Sequence, residues 1–163
     1  MRALDIRKHK INLTNILIDV YKDEILGSKL GFKGGSAAML FYNLPRFSTD
    51  LDFDLITHES TGTIEIERII ERMTQLLSKK YNVKEQSKKQ NTLFWLISYG
   101  DGLTNIKIEI SMRDKPYDEY ELKTFYGIKL KVSKIGDMIA NKMVASTERS
   151  ITANRDLFDI YYF

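Results

Sequence analysis

Residues 49–55, Thr49-Asp50-Leu51-Asp52-Phe53-Asp54-Leu55, alternate acidic and apolar side chains with a period of two. In an extended strand successive side chains point to opposite faces, so Asp50, Asp52 and Asp54 share one face and Leu51, Phe53 and Leu55 the other. The apolar triplet marks the core side. Aligned carboxylates repel one another, and a fold gains nothing from the alignment unless a cation or water compensates. Magnesium meets that need: it takes hard oxygen ligands and commonly binds through one or two carboxylates plus substrate phosphates. Asp50 and Asp52 form the best ligand pair, with Asp54 one step beyond. The competing explanation is a solvated edge strand whose acids discourage aggregation.

Upstream, Leu30-Gly31-Phe32-Lys33 reads as a short strand running into Gly34-Gly35, and Ser36 is placed to cap a short helix over residues 37–42 that Pro45 stops. Glycines at a strand-to-helix turn leave bare backbone and exposed amides that a phosphate can approach. Taken alone they also fit an ordinary turn. A phosphate cradle separated by one short helix from an acid-bearing strand is the minimum apparatus for metal-assisted nucleotidyl transfer.

Elsewhere, Leu13, Ile16, Leu17, Val20, Tyr21 and Ile25 recur three and four apart and predict an amphipathic helix over residues 6–26, ended by Gly27-Ser28. Residues 56–62 read as a polar loop with His58, Ser60 and Gly62, and residues 64–80 as a second amphipathic helix. Two strands, 92–99 and 103–112, flank the hairpin signal Gly100-Asp101-Gly102. In the second of these Ile106, Ile108 and Ile110 alternate with Lys107, Glu109 and Ser111, so Glu109 points away from the isoleucines. Residues 126–132 predict another strand, Ser133 opens a helix carrying Lys142, and a last helix from about Ala153 carries Arg155, Asp156 and Asp159. The aromatic runs Phe94-Trp95 and Tyr161-Tyr162-Phe163 read as core rather than as platforms for bases. This order predicts an α+β fold with a mixed, mostly antiparallel sheet flanked by helices.

A chain of 163 residues with 43% hydrophobic and 29% charged side chains suits one compact domain. Its apolar runs fall far below the ~20 residues that span a bilayer. Charges at Asp5, Arg7, Lys8 and Lys10 interrupt any signal-like stretch, and the absence of cysteine excludes disulfides, a thiol nucleophile and cysteine-zinc sites. His9 and His58 are too few for a histidine-rich metal site, and the expected compartment is the cytoplasm. The net charge of +3 sets 25 Lys and Arg against 22 Asp and Glu. Residues 46–72 hold seven acids and three bases, a local −4 that leaves +7 elsewhere. An acidic focus in a basic body suits a cation site beside a surface that attracts phosphates. The basic stretch 79–89, a helix end and loop by this reading, is the segment placed to track an RNA backbone.

The stretch Lys33-Gly34-Gly35-Ser36 through Arg46-Phe47-Ser48-Thr49-Asp50-Leu51-Asp52-Phe53 resembles the signature of the AbiEii/AbiGii nucleotidyltransferase toxins, members of the DNA polymerase beta-like nucleotidyltransferase superfamily. Near the C-terminus, Lys142-Met143-Val144-Ala145 through Arg149 to Arg155-Asp156-Leu157-Phe158-Asp159 resembles the family's downstream lysine motif and its Arg/Lys-Asp-x-x-Asp motif. The resemblance implies a nucleotidyltransferase core over residues 1–132, including the N-terminal helix, and a helical segment over 133–163 that closes the cleft and that many members extend. It implies Asp50 and Asp52 as metal ligands, Glu109 as the third carboxylate, and Gly34, Gly35 and Ser36 at the triphosphate. Lys142 would stand near the leaving pyrophosphate. Asp156 or Asp159 would orient Lys142 or serve the metal or the attacking hydroxyl, Arg155 would meet phosphate, and Arg46 would meet phosphate or pair with Asp50.

By the same resemblance the reaction moves a nucleoside monophosphate from an NTP to an acceptor hydroxyl, with Mg2+ or Mn2+. The acceptor is RNA, the tRNA 3′ end first, and the role that of a toxin paired with an antitoxin or of an abortive-infection protein. A protein or small-molecule acceptor of the aminoglycoside kind, and a nucleotide-binding module without turnover, are the alternatives. A glycosyltransferase using Asp-x-Asp would need a longer chain.

Overall fold

The computed structural model describes residues 3–56, 62–148 and 154–163. Thirteen elements follow one another: α1 (Ile6–Lys22), α2 (Glu24–Lys29), β1 (Leu30–Lys33), α3 (Gly34–Phe41), β2 (Leu51–Leu55), α4 (Thr63–Ser78), β3 (Asn82–Lys89), β4 (Thr92–Ser98), β5 (Ile106–Ser111), β6 (Tyr120–Phe125), β7 (Ile128–Ser133), α5 (Ile135–Glu148) and α6 (Asn154–Tyr162). The strands form one sheet in the order β3-β4-β5-β2-β1-β7-β6. Only the β2–β5 and β1–β7 pairs are parallel, so the sheet is mixed and mostly antiparallel, as its sequence predicts.

The acid-bearing strand β2 sits at the centre, antiparallel to β1 and parallel to β5. Leu51 and Phe53 are fully buried with Ile106, Ile108, Ile110, Leu93, Trp95 and Ile97. On that side they meet Leu13, Ile16, Leu17 and Val20 of α1 and Ile69, Met73 and Leu77 of α4 in one core cluster. The Trp95 indole N–H donates to Thr74 Oγ1 of α4 at 2.9 Å, so the buried ring keeps its polar edge satisfied.

The structure differs from the sequence expectations at six places. The helix over 6–26 stops at Lys22, because the Asp23 carboxylate accepts the amides of Ile25 and Leu26 and starts α2 afresh. Gly27 lies inside α2, where a β-carbon would stand 2.9 Å from the Tyr21 carbonyl, so this glycine serves close packing and not termination. Ser36 is likewise inside a helix: α3 begins at Gly34, and no side chain caps it. The basic stretch 79–89 is mostly the edge strand β3, whose polar sequence hides a ladder with β4 and a bulge between Val83 and Glu85. The strand β6 forms a hairpin with β7 through Tyr126 and Gly127, both at positive φ (48° and 78°), the backbone of a tight two-residue hairpin turn. Ser133 closes β7 and does not open a helix.

The aromatic residues also divide. Trp95 is core, but Phe94, one residue earlier on the strand, faces away from it, and Tyr161, Tyr162 and Phe163 at the C-terminal end of α6 are exposed. The loop residues His58 and Ser60, and Arg149, lie outside the described residues.

The Asp23 cap supports one prediction. Asp23 also pairs with Arg72 Nε at 2.7 Å and so ties the α1–α2 junction to α4. Asp23→Ala should lower the thermal midpoint by about 2–4 °C, the equivalent of ~1 kcal/mol for a chain of this size, as read by circular dichroism.

Candidate active site

The turn from β1 into α3 is built close against β2. Gly34 has φ 78°, and a β-carbon there would collide with the Asp52 carboxylate; one at Gly35 would stand 2.8 Å from Ser48 Oγ and 3.1 Å from Arg46 Nη2. Only glycine fits both positions. The buried Ser36 hydroxyl donates to the Asp50 carbonyl, and the Nε2 of buried His9 donates to the Thr49 carbonyl at 2.9 Å. Two side chains thus pin the backbone that presents Asp50. Ser36, predicted at the triphosphate, instead uses its hydroxyl on this support.

Asp50, Asp52 and Glu109 line one cleft of about 530 Å3 together with Gly34, Gly35 and Lys142. Asp52 and Glu109 are cross-strand neighbours on β2 and β5. Burial, then the nearby Asp50 and Glu109 charges, push the Asp52 carboxyl up to about 6 from an ordinary 3.8, with Lys33 and Lys142 pulling the other way.

The opposite wall comes from the C-terminal helices. Lys142 of α5 reaches Asp156 at 3.1 Å and Asp159 at 2.8 Å, both on α6. Asp159 is 1% exposed and also takes a two-pronged contact from Arg46, with Nε at 2.6 Å and Nη2 at 2.5 Å. Burial alone would raise Asp159, but the hydrogen bonds and charges of Arg46 and Lys142 outweigh it and hold the carboxyl below its ordinary value. The sequence groups Asp159 with the catalytic acids; its position makes it the buried counter-ion that orders Arg46 and Lys142. Arg46 therefore pairs with Asp159 and not with Asp50, while Asp156 and Arg155 line the cleft.

A third cluster escaped the sequence reading. Asp54, 2% exposed, accepts from Lys33, stands 3.4 Å from Lys115 Nζ and accepts the Tyr120 hydroxyl at 2.9 Å. Burial pulls Lys33 below the usual lysine range; the Asp54 charge opposes that and the Lys115 charge adds to it. Lys33 and Lys115 both line the cleft, as do Lys107, Ser111 and Arg113. For Lys107 and Ser111 the signal was present in the strand parity they share with Glu109. Lys115 sits in the loop between β5 and β6, where no periodicity marks it.

Acids on a central strand, a glycine turn packed against them and a lysine-bearing helix thus meet at one cleft. Solved structures share the fold. JHP933 from Helicobacter pylori is 24% identical, with 98% of this chain and 67% of that one covered at a TM-score of 0.66. MenT4, a nucleotidyltransferase toxin from Mycobacterium tuberculosis H37Rv, is 19% identical over 96% of this chain and 57% of its own, with a TM-score of 0.67. An antigenic nucleotidyltransferase-like protein from Paracoccidioides brasiliensis is 13% identical over 97% and 76%, at 0.58. No curated protein matches the sequence. The chain belongs to the AbiEii family, whose model, described as nucleotidyl transferase AbiEii toxin of a type IV toxin–antitoxin system, matches residues 16–163. Among the described residues no helix is long and apolar enough to cross a membrane.

The raised Asp52 carboxyl predicts a pH-dependent difference between the unaltered protein and Asp52→Asn. The folded state holds the proton more tightly than the unfolded chain, so stability from this group is present below about pH 4 and lost as pH rises through about 6. Without divalent metal at pH 7, Asp52→Asn should therefore be the more stable protein, by up to ~3 kcal/mol. That gap should close as pH falls toward 4, and thermal melts across the range in chelator measure it.

Proposed function

We propose that this toxin nucleotidyltransferase moves a nucleoside monophosphate from an NTP to a hydroxyl at the 3′ end of an RNA, tRNA first, in a reaction dependent on Mg2+ or Mn2+. An antitoxin opposes it in the cytoplasm. The observation that carries the reading is the convergence of Asp50, Asp52 and Glu109 with Lys142 and the Gly34-Gly35 backbone on one cleft.

The donor set fits a hard divalent ion. Four carboxylates line the cleft, Asp50, Asp52, Glu109 and the Lys142-paired Asp156, with no histidine or thiolate among its lining residues, which favours magnesium or manganese over zinc. Among the described residues no three acids form a ready metal cage. Asp50 and Asp52 would accordingly hold the ion with Glu109 beside them, and phosphate oxygens and water would complete its shell. When bound, the ion supplies charge that stabilises the phosphoryl oxygens in the transition state.

The protein's own groups do the rest. The acceptor oxygen attacks the α-phosphorus, the bond to the β-phosphate oxygen breaks, and pyrophosphate leaves. Gly34 and Gly35 let the first turn of α3 pack against Asp52 and Ser48, so that its amides, with their positive ends outward, would meet a phosphate beside the acids. Lys142, held by Asp156 and Asp159, presents a fixed cation to the charge that develops on the leaving group. Arg155 and Lys33 add positive charge at the same cleft. Glu109, the acid toward β4, is the group placed to take the proton of the incoming hydroxyl.

The test incubates the protein with magnesium, each α-labelled NTP in turn and total tRNA. Label should enter RNA with the unaltered protein, fall at least ~100-fold with Asp52→Ala or Lys142→Ala, and disappear in chelator. Label in a protein or small molecule, with none in RNA, would instead assign the acceptor to that class.

A further inference from the structure

The sheet has a bare face. Helices α1 and α4 cover the side formed by Leu93, Trp95 and Ile97, whereas Phe94 and Leu96, on the other side of β4, are partly exposed and belong to no core cluster. Register makes this bare side continuous with the active site. Ser87, Phe94, Glu109, Asp52 and Lys33 are successive cross-strand partners from β3 to β1, and Lys89, Thr92, Ser111, Asp54 and Gly31 form the parallel row. With strands ~4.8 Å apart, Phe94 stands about 10 Å from Asp52 along its row.

Basic side chains gather beside Phe94, with Glu109 and Glu85 the acids on the same side. Lys89 Nζ lies 5.3 Å above the Phe94 ring, and Lys107 and Arg113, on the cleft rim, make no ion pair among the described residues. Glu85 is the acid at the far rim. Of the basic stretch named from the sequence, Lys80 and Lys88 are turned to the helical side and pair with Asp19 and Glu67, so only part of it serves this face. A partly exposed ring with cations beside it, in line with the acids of the cleft, matches how single-stranded nucleic acid is held: a base takes the place of the Lys89 ammonium over the ring and the cations follow the phosphates. A duplex offers no free base to the ring, and one aromatic among lysines is too small an apolar patch for a stable protein interface.

We propose that the open face of β3, β4 and β5 docks the single-stranded 3′ segment of the RNA acceptor, with one base on Phe94 and phosphates on Lys89, Lys107 and Arg113. This rests on the RNA-acceptor reading above and adds the surface that recognises it. Glu109 then lies between the docked strand and Asp52, on the path by which a terminal hydroxyl enters the cleft.

The experiment measures binding of a short single-stranded RNA with a free 3′ hydroxyl, labelled at its 5′ end, to the whole chain by fluorescence anisotropy over a salt series. A blunt RNA duplex and an NTP serve as comparison ligands. Phe94→Tyr keeps stacking and should bind like the unaltered protein, while Phe94→Leu keeps apolar bulk and should lose about tenfold. Lys89→Gln and Lys107→Gln should each reduce the slope of log affinity against log salt by ~0.7. The single strand should outbind the duplex. If single-stranded RNA binds but Phe94→Leu and Lys107→Gln bind it unchanged, the docking surface is overturned and the acceptor reading survives. If the unaltered protein binds NTP but no RNA strand, the acceptor reading falls and takes this proposal with it.

Discussion

A carboxylate held among other carboxylates is the constraint on which this structure turns. Asp52 is half-buried beside Asp50 and Glu109, an arrangement that raises its proton affinity and that no core needs for its own sake. Tolerating it requires a rigid backbone and nearby positive charge. The first comes from Ser36 and His9, which hold the carbonyls of Asp50 and Thr49. The second comes from Lys33 and Lys142, and each of these lysines is in turn anchored by further acids, Asp54 for the one and Asp156 with Asp159 for the other. Alternating charge spreads outward from Asp52 until it reaches solvent or a two-pronged pair such as Arg46 with Asp159.

That pattern explains the uneven covering of the sheet. One face is closed by α1 and α4 and makes the hydrophobic core, whose side chains alternate strictly along β4 and β5. The other face carries the acids at its centre and stays open toward β3, because antiparallel strands can leave one side to solvent where parallel crossovers would cover both. That side opens on the cleft, which α5 and α6 wall from the opposite direction.

The likeness to solved nucleotidyltransferases at 13–24% identity is a likeness of fold.

Local pattern was enough for the central unit. The alternation over 49–55, the glycine pair at 34–35 and the parity of Glu109 all follow from a period of two or from the steric freedom of glycine, which neighbouring residues alone dictate. The polar edge strands were not legible, since β3 and β6 bury little and their sequences carry weak alternation; they exist because a neighbour supplies a ladder of hydrogen bonds. Nor was the division of labour among the charged groups. Asp54 with Tyr120, and Asp159 with Arg46, meet across 66 and 113 residues of chain, and whether such a carboxylate serves chemistry or anchors a cation depends on what packs beside it. The sequence by itself determined the strand that bears the acids and the glycine turn packed against it; the tertiary structure decided which charges reach the cleft and which are consumed as pairs, because Coulomb and hydrogen-bond energies depend on distance in space and not along the chain.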